Sequence, residues 1–113
     1  MHELGIASDI QSIALSDAEK HGARTIGRVT IRVGVLRGVV PGHLSFLFGE
    51  VARETIAAGA VLDVEEEPVR IVCGTCGTTE AREFTFECPA CKAPCGRVEG
   101  GDALRIVSLD IDD

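Results

Sequence analysis

Four cysteines form two Cys-X-X-Cys pairs, Cys73 with Cys76 and Cys88 with Cys91, separated by eleven residues. A Cys-X-X-Cys turn places two thiolates on one side of a tight loop. Two such turns facing each other offer four sulfurs at the corners of a tetrahedron, the arrangement of a closed structural zinc site. Two disulfides or four free buried thiols would use the same residues, but paired spacing in a chain with no sign of secretion favours zinc. Zinc with four thiolates has no vacant position, so we expect it to support structure and not catalysis.

The stretch between the two pairs is long enough for a small β-hairpin, and residues 84–86 (Phe-Thr-Phe) are predicted to be its returning strand. We therefore expect residues 73–98 to form a zinc-ribbon-like module. This module would be inserted into a second domain made of residues 1–72 and 99–113.

The composition restricts the classes of function that this chain can have. It has 113 residues, 45% of them apolar, which suits one domain with a small appended module. The formal net charge of −7 argues against a nucleic-acid partner. No apolar run is long enough to cross a membrane, and the N-terminus lacks the pattern of an export signal. We therefore expect no membrane association and a cytoplasmic location, where paired cysteines bind metal.

Apolar periodicity predicts the order helix, strand, helix, strand, module, strand. The predicted elements are a helix at 4–21, a strand at 25–36, a helix from Pro41 to about 58, a strand at 60–68 and a final strand at 104–111. His21 is expected to cap the first helix, and the acids of 60–68 are expected to face Arg28 and Arg32 across neighbouring strands. Residues 99–102 would be a flexible return. The fold class is α+β, with two helices packed on one face of a three-stranded sheet and the four-cysteine zinc-ribbon-like module inserted.

A second candidate metal site lies at the N-terminus, which reads Met1-His2-Glu3. A histidine at position 2 can offer the α-amine, its own deprotonated amide and its imidazole in one plane, and planar nitrogen donors favour Cu(II) or Ni(II). Glu3 could complete the square with its amide or its carboxylate. Bulky His2 should protect Met1 from removal by methionine aminopeptidase. The same residues could instead be disordered or cap the first helix, and three residues alone favour that plainer interpretation.

Further segments, taken with this N-terminus, resemble a known family. They are Met1-His2-Glu3-Leu4, Ile6-Ala7, His21-Gly22-Ala23, Val39-Val40-Pro41, the two Cys-X-X-Cys pairs and Gly101-Asp102-Ala103-Leu104-Arg105-Ile106. Together they resemble the HypA family, nickel metallochaperones for the maturation of nickel-iron hydrogenases. The resemblance covers nearly the whole chain, and the combination is specific although each piece alone is not.

The resemblance implies that residues 1–72 and 99–113 form a nickel-binding domain. It implies that labile Ni(II) is held through His2, with help from Glu3 and backbone nitrogens including the amine of Met1. It also implies structural Zn(II) on Cys73, Cys76, Cys88 and Cys91. Family members work with a GTPase, HypB, and deliver nickel to the hydrogenase large-subunit precursor, and some serve urease. A weak homodimer stays open.

Two features depart from the pattern of the family. Gly42-His43 follows Pro41 where an acidic or small residue is more usual, and Cys95 is an extra thiol that could replace Cys91 as a ligand. We interpret His43 as a surface or capping residue and Cys95 as a free thiol.

Two other classes of function compete with the nickel carrier. In the first, the chain is a zinc-ribbon adaptor that docks protein partners without carrying nickel. In the second it is an enzyme, but four cysteines leave zinc no open position and no catalytic set is evident. We therefore expect no enzymatic activity.

Overall fold

The computed structural model of the chain describes residues 2–94 and 96–112, and for His2 it describes the main chain alone. The elements run α1 (His2–Lys20), β1 (Thr25–Gly34), a 3-10 turn (Val35–Arg37), α2 (Pro41–Val51), β2 (Val61–Glu67), β3 (Val69–Cys73), β4 (Gly77–Ala81), β5 (Arg97–Gly100) and β6 (Leu104–Asp112).

The first sheet has three strands, as the sequence predicts, and their order is β2-β1-β6. Apolar residues of its central strand β1, such as Val29 and Ile31, are buried. Arg28 pairs with Asp63 of β2, which confirms that these two strands are neighbours. This ion pair is exposed, so it contributes less than about 1 kcal/mol to the stability of the fold. The predicted α+β class, with two helices and an inserted four-cysteine module, is confirmed.

Helix α1 packs against α2 and buries a stripe of small and branched residues. Ile6, Ile10 and Ala14 recur at helical spacing and are buried. The predicted end is confirmed, because His21 Nδ1 lies 2.8 Å from the carbonyl oxygen of Asp17. The predicted start at residue 4 is wrong, since α1 already includes His2.

Helix α2 is shorter than the prediction that extended it to about residue 58. It ends at Val51, and turns follow. The hydroxyl of Thr55 donates to the carbonyl oxygen of Ala52 at 2.8 Å and accepts the N–H of Ala57 at 3.1 Å. A side chain that bonds to the backbone in this way competes with helical hydrogen bonds. The buried Ala57 therefore belongs to a turn and not to the helix.

A second three-stranded sheet, in the order β4-β3-β5, differs from the sequence prediction. Strand β3 pairs antiparallel with both neighbours, so that Cys73 lies opposite Gly77 and Val69 lies opposite both Ala81 and Gly100. The sequence pattern predicts a connection at 68–72 and a returning strand at 84–86. Both assignments are wrong, because 69–72 lies within β3, 84–86 lies outside the strands and β4 is the returning strand.

The predicted flexible return at 99–102 is partly strand and partly a tight contact. Residues 99 and 100 belong to β5, and Gly101 is buried. A Cβ on Gly34 would overlap the carbonyl group of Gly101, so this crossing requires glycine. The N–H of Gly101 donates to Glu67 Oε1 at 2.9 Å, and its carbonyl oxygen accepts the N–H of Leu36 at 2.8 Å.

The chain forms two compact units. One comprises Val33–Gly38 and Glu66–Leu104 and contains the second sheet, and the other contains both helices. No helix among the described residues is long and apolar enough to cross a membrane.

Candidate metal centre

The Sγ atoms of the four paired cysteines lie within 4.8 Å of one another. Those of Cys73 and Cys91 are 3.8 Å apart. A regular tetrahedron with metal–sulfur bonds of about 2.3 Å has edges of about 3.8 Å, so this separation fits a bound metal. It is too long for a disulfide between these two residues, whose sulfurs would be about 2.05 Å apart, and all four cysteines are free thiols in the structure. The structure thus joins two pairs that are distant in sequence into one cluster with metal-binding geometry.

The first Cys-X-X-Cys turn extends directly from the second sheet. Cys73 is the last residue of β3, and residues 74–76 make the turn into β4. Hydrogen bonds from the backbone N–H groups of Cys76 and Thr75 to its sulfur lower the pKa of Cys73 to about 7. These donors stabilise the thiolate, which is the form that binds metal. Gly77, the residue after the second cysteine, has φ of 82° and so occupies the left-handed region.

The second turn repeats this arrangement without a sheet to support it. The backbone N–H groups of Cys91 and Ala90 donate to the buried Cys88 sulfur and lower its pKa. Cys88 also donates its N–H to the carbonyl oxygen of Ala93, and its carbonyl oxygen accepts the N–H of Lys92, both at 2.8 Å. Lys92 has φ of 66°, the one non-glycine residue in the left-handed region among residues 2–94 and 96–112.

The electrostatics of the cluster favour a cation. Hydrogen bonds with the sulfurs of Cys91 and Cys88 raise the pKa of Cys76 to about 12. Sulfur atoms packed this closely repel one another when all are ionised, so one or more protons are retained. A divalent cation removes that conflict and takes the place of the protons. The cluster can therefore hold a soft metal ion with four sulfur ligands.

Each turn contributes one buried and one exposed cysteine to the cluster. Cys73 and Cys88, each the first cysteine of its pair, are buried, and Cys76 and Cys91 are exposed. The buried thiols receive the backbone donors, so each turn presents one enclosed sulfur and one accessible sulfur. The sequence spacing predicted that these four cysteines would come together, as they do, but gave no sign that Thr75 and Ala90 supply N–H groups to the buried sulfurs.

The predicted N-terminal site lies mostly outside the described residues. Met1 is not described, and for His2 only the main chain is, as the first residue of α1. Glu3 is buried, with 9% of its surface exposed, and lies in the first turn of the helix. A negative side chain at that position interacts favourably with the positive end of the helix dipole. The structure therefore places Glu3 against the protein and does not test a joint site with the other two residues.

The structure bears on the prediction for His43 but not on the prediction for Cys95. His43 is exposed in the first turn of α2, consistent with a surface residue. Cys95 lies outside the described residues, so its interpretation as a free thiol stays a prediction.

The fold and the cluster define a class: a small α+β protein with an inserted module that can bind a metal through four cysteines. Known proteins agree with this class. The family model described as "HypA: Hydrogenase/urease nickel incorporation, metallochaperone, hypA" matches residues 1–111. The hydrogenase maturation factor HypA of Chloroflexus aggregans is 42% identical over 112 residues, covering 97% of this chain and 98% of that protein. That of Geobacter metallireducens is 36% identical over 113 residues, with 99% and 100% coverage.

A solved structure supports the same fold. The solution structure of the Ni metallochaperone HypA from Helicobacter pylori matches with a TM-score of 0.68 at 23% identity, covering 99% of this chain and 98% of that one. With the family match over almost the entire length, this chain belongs to the HypA family of hydrogenase maturation and nickel incorporation proteins.

Proposed function

We propose that this chain is a nickel metallochaperone that binds Ni(II) at its N-terminus and delivers it, with a HypB-type GTPase, to the large-subunit precursor of a nickel-iron hydrogenase. Its membership of the HypA family carries this proposal. We further propose that it acts as a carrier in the cytoplasm and not as a catalyst. Residues 1–72 and 99–113 would form the nickel-binding domain, and 73–98 the zinc module.

Zinc is the metal that we assign to the four cysteines. Four thiolates in a tetrahedron suit Zn²⁺, which has no preferred geometry of its own and takes a closed set of sulfur ligands in structural sites. The 3.8 Å separation of the Cys73 and Cys91 sulfurs supports this assignment. With all four positions filled by protein, the zinc would hold the module together and take no part in nickel transfer.

Nickel would be bound by Met1, His2 and Glu3. The first four N–H groups of a helix have no intrahelical acceptor, so an amide here can lose its proton without breaking a helical hydrogen bond. This consideration supports backbone coordination even though α1 begins at His2. The amine of Met1 and the amide and imidazole of His2 would form two fused chelate rings in one plane, and Glu3 would supply the fourth donor.

A carrier must release its metal, and the two proposed sites differ in that respect. A zinc enclosed by four sulfurs from two turns exchanges slowly, because several ligands must leave together. A nickel held by one terminal segment can be transferred stepwise to another protein. We therefore assign transport to the N-terminus and support to the cysteine cluster.

Nickel titration of the untagged protein tests the proposal. We expect His2→Ala to abolish tight nickel binding, since the imidazole anchors the deprotonated amide, while zinc content stays that of the wild type. An N-terminal tag should do similar damage by converting the amine to a peptide bond. Glu3→Gln is the matched variant, and we expect it to lose much less nickel affinity than His2→Ala, because the three nitrogen donors of Met1 and His2 remain. Equal nickel affinity in the wild type and His2→Ala would refute the proposed site.

A further inference from the structure

Two phenylalanines lie exposed on the loop that precedes the second cysteine turn. The chain has four phenylalanines and no tyrosine or tryptophan, so Phe84 and Phe86 are half of its aromatic side chains. Phe48 of α2, by contrast, is fully buried. We refer to residues 82–87 as the aromatic loop. A chain with so few aromatic residues would normally bury them, because they remove more apolar surface from water than other side chains do.

The two rings contact each other but do not cover each other. Their centroids are 4.7 Å apart and their planes meet at 85°, an edge-to-face arrangement. Phe84 nevertheless keeps 50% of its surface exposed, and Phe86 keeps 73%. The contact therefore orients the two rings but leaves most of their apolar surface in contact with water.

The aromatic loop is fixed at both ends. At its start, Arg82 Nη2 donates to both carboxylate oxygens of Glu66, at 2.9 and 3.0 Å. Near its end, the N–H of Glu87 donates to Thr85 Oγ1 at 3.1 Å, and Glu87 forms a bridge with Pro94. Cys88, a member of the metal cluster, follows at once. The loop therefore presents its rings in a preorganised way, which lowers the entropy cost of binding.

Charges around the rings restrict the kind of partner. Glu83 and Glu87 are exposed on either side of the phenylalanines. Two arginines of the module are engaged, Arg82 with Glu66 and Arg97 with Glu99 at 2.8 Å. Stacking on nucleic-acid bases requires a basic groove beside the aromatic rings, and anionic lipid requires the same sign of charge. The acidic residues on either side of the rings instead favour binding to a protein surface with basic side chains.

We propose that the aromatic loop is a docking site for a partner protein that has an apolar pocket rimmed by lysine or arginine. Phe84 and Phe86 enter the pocket, and Glu83 and Glu87 meet its rim. Exposed aromatic anchors of this kind dominate the binding energy of protein interfaces. The structural metal then has a function beyond stability, since it fixes Cys88 and so the end of the loop. The choice of partners for the test rests on the proposed function.

Binding of two purified partners tests the docking site. The untagged, zinc-loaded protein is titrated calorimetrically against the HypB-type GTPase and against the hydrogenase large-subunit precursor. The variants are Phe84→Ser/Phe86→Ser and, as a control with a similar exposed ring on α2, Phe46→Ser, whose ring is 63% exposed. We expect the double variant to bind at least one partner about tenfold or more weakly, and Phe46→Ser to stay within about twofold.

A second arm tests the charged flanks. Glu83→Lys/Glu87→Lys should slow association about threefold or more at low salt, with the difference shrinking as salt rises. Glu54→Lys, at an exposed position of the other unit, is the control for net charge and should change the association rate less.

Zinc content is measured for each variant, and Phe86→Ser alone replaces the double variant if the latter loses zinc. Unchanged affinity of the zinc-loaded phenylalanine variant for both partners would overturn the docking site, as would an equal loss in Phe46→Ser. An effect confined to self-association would overturn it too. If the wild type binds neither partner, the docking site fails together with the partners of the proposed function. Nickel titration judges the metal-carrying part of that function independently.

Discussion

The first turn of α1 and the four-cysteine cluster are proposed to bind metal in opposite ways. The cluster takes its ligands from side chains of two turns that are distant in sequence, and its sulfurs lie within 4.8 Å of one another. The proposed nickel donors come from three consecutive residues and are mainly backbone nitrogens. A folded module is needed to assemble the first set, whereas local chain geometry alone suffices for the second. Zinc binding should therefore be coupled to folding, and nickel binding should not.

The two Cys-X-X-Cys turns of the cluster differ in how the rest of the fold supports them. Both bury the first cysteine and direct two N–H groups at its sulfur. The first turn is fixed by β3, which is hydrogen-bonded on both sides. The second is held by a few turn hydrogen bonds and one bridge. The second turn should therefore depend more strongly on the metal.

Loss of a cysteine ligand should have the largest effect. Cys73→Ser and Cys88→Ser should each lose zinc, because binding energies of structural zinc are on the order of 10 kcal/mol and depend on all four ligands. Hydrogen exchange should then show loss of protection at residues 88–94 and partial protection within β3. Ala90→Ser, which adds a hydroxyl to the same turn without removing a ligand, is the control. Retained zinc and unchanged exchange in both cysteine variants would contradict the assignment.

Acidification should separate the two sites. The imidazole must be neutral to bind nickel, and the amine and the amide must each release a proton. With ordinary pKa values of about 6.5 for an imidazole and about 8 for an α-amine, nickel affinity should fall about a hundredfold from pH 7.5 to 6.5. Zinc should remain bound over this range. Dialysis at each pH, followed by metal analysis, checks the order of release, and simultaneous loss of both metals would argue against separate sites.

Substitutions after each turn should have the smallest effect. Gly77 and Lys92 occupy equivalent positions with φ of 82° and 66°. A Cβ on Gly77 would meet nothing within 4 Å, so Gly77→Ala should cost only the left-handed strain of about 1 kcal/mol. Lys92→Gly removes that strain but raises the conformational entropy of the unfolded chain. Its free energy of unfolding should therefore stay within about 0.5 kcal/mol of the wild-type value. Thermal unfolding of the zinc-loaded proteins measures both. Equal destabilisation by the two changes would show that the Lys92 side chain itself stabilises the second turn.

Local patterns in the sequence predicted much of the first sheet. The alternation in β1 and the cap at His21 depend on neighbours along one strand or helix, and the opposite charges of Arg28 and Asp63 indicated which two strands lie side by side. The structure confirms all three. The second sheet was missed because β3 is short and follows Pro68, which resembles a connection. Its apolar residues are explained by strands on both sides, one of them more than twenty residues further along the chain.

The cluster of four cysteines and the family of the chain could be predicted from the sequence alone, because the spacing within each cysteine pair and the combination of short segments are local properties. The burial of Glu3, the early start of α1, the close crossing of Gly34 and Gly101, and the exposure of Phe84 and Phe86 emerged only from the folded chain. Burial and exposure depend on which distant surfaces meet. That outcome reflects the free energy of packing the whole chain, and no short pattern of residues encodes it.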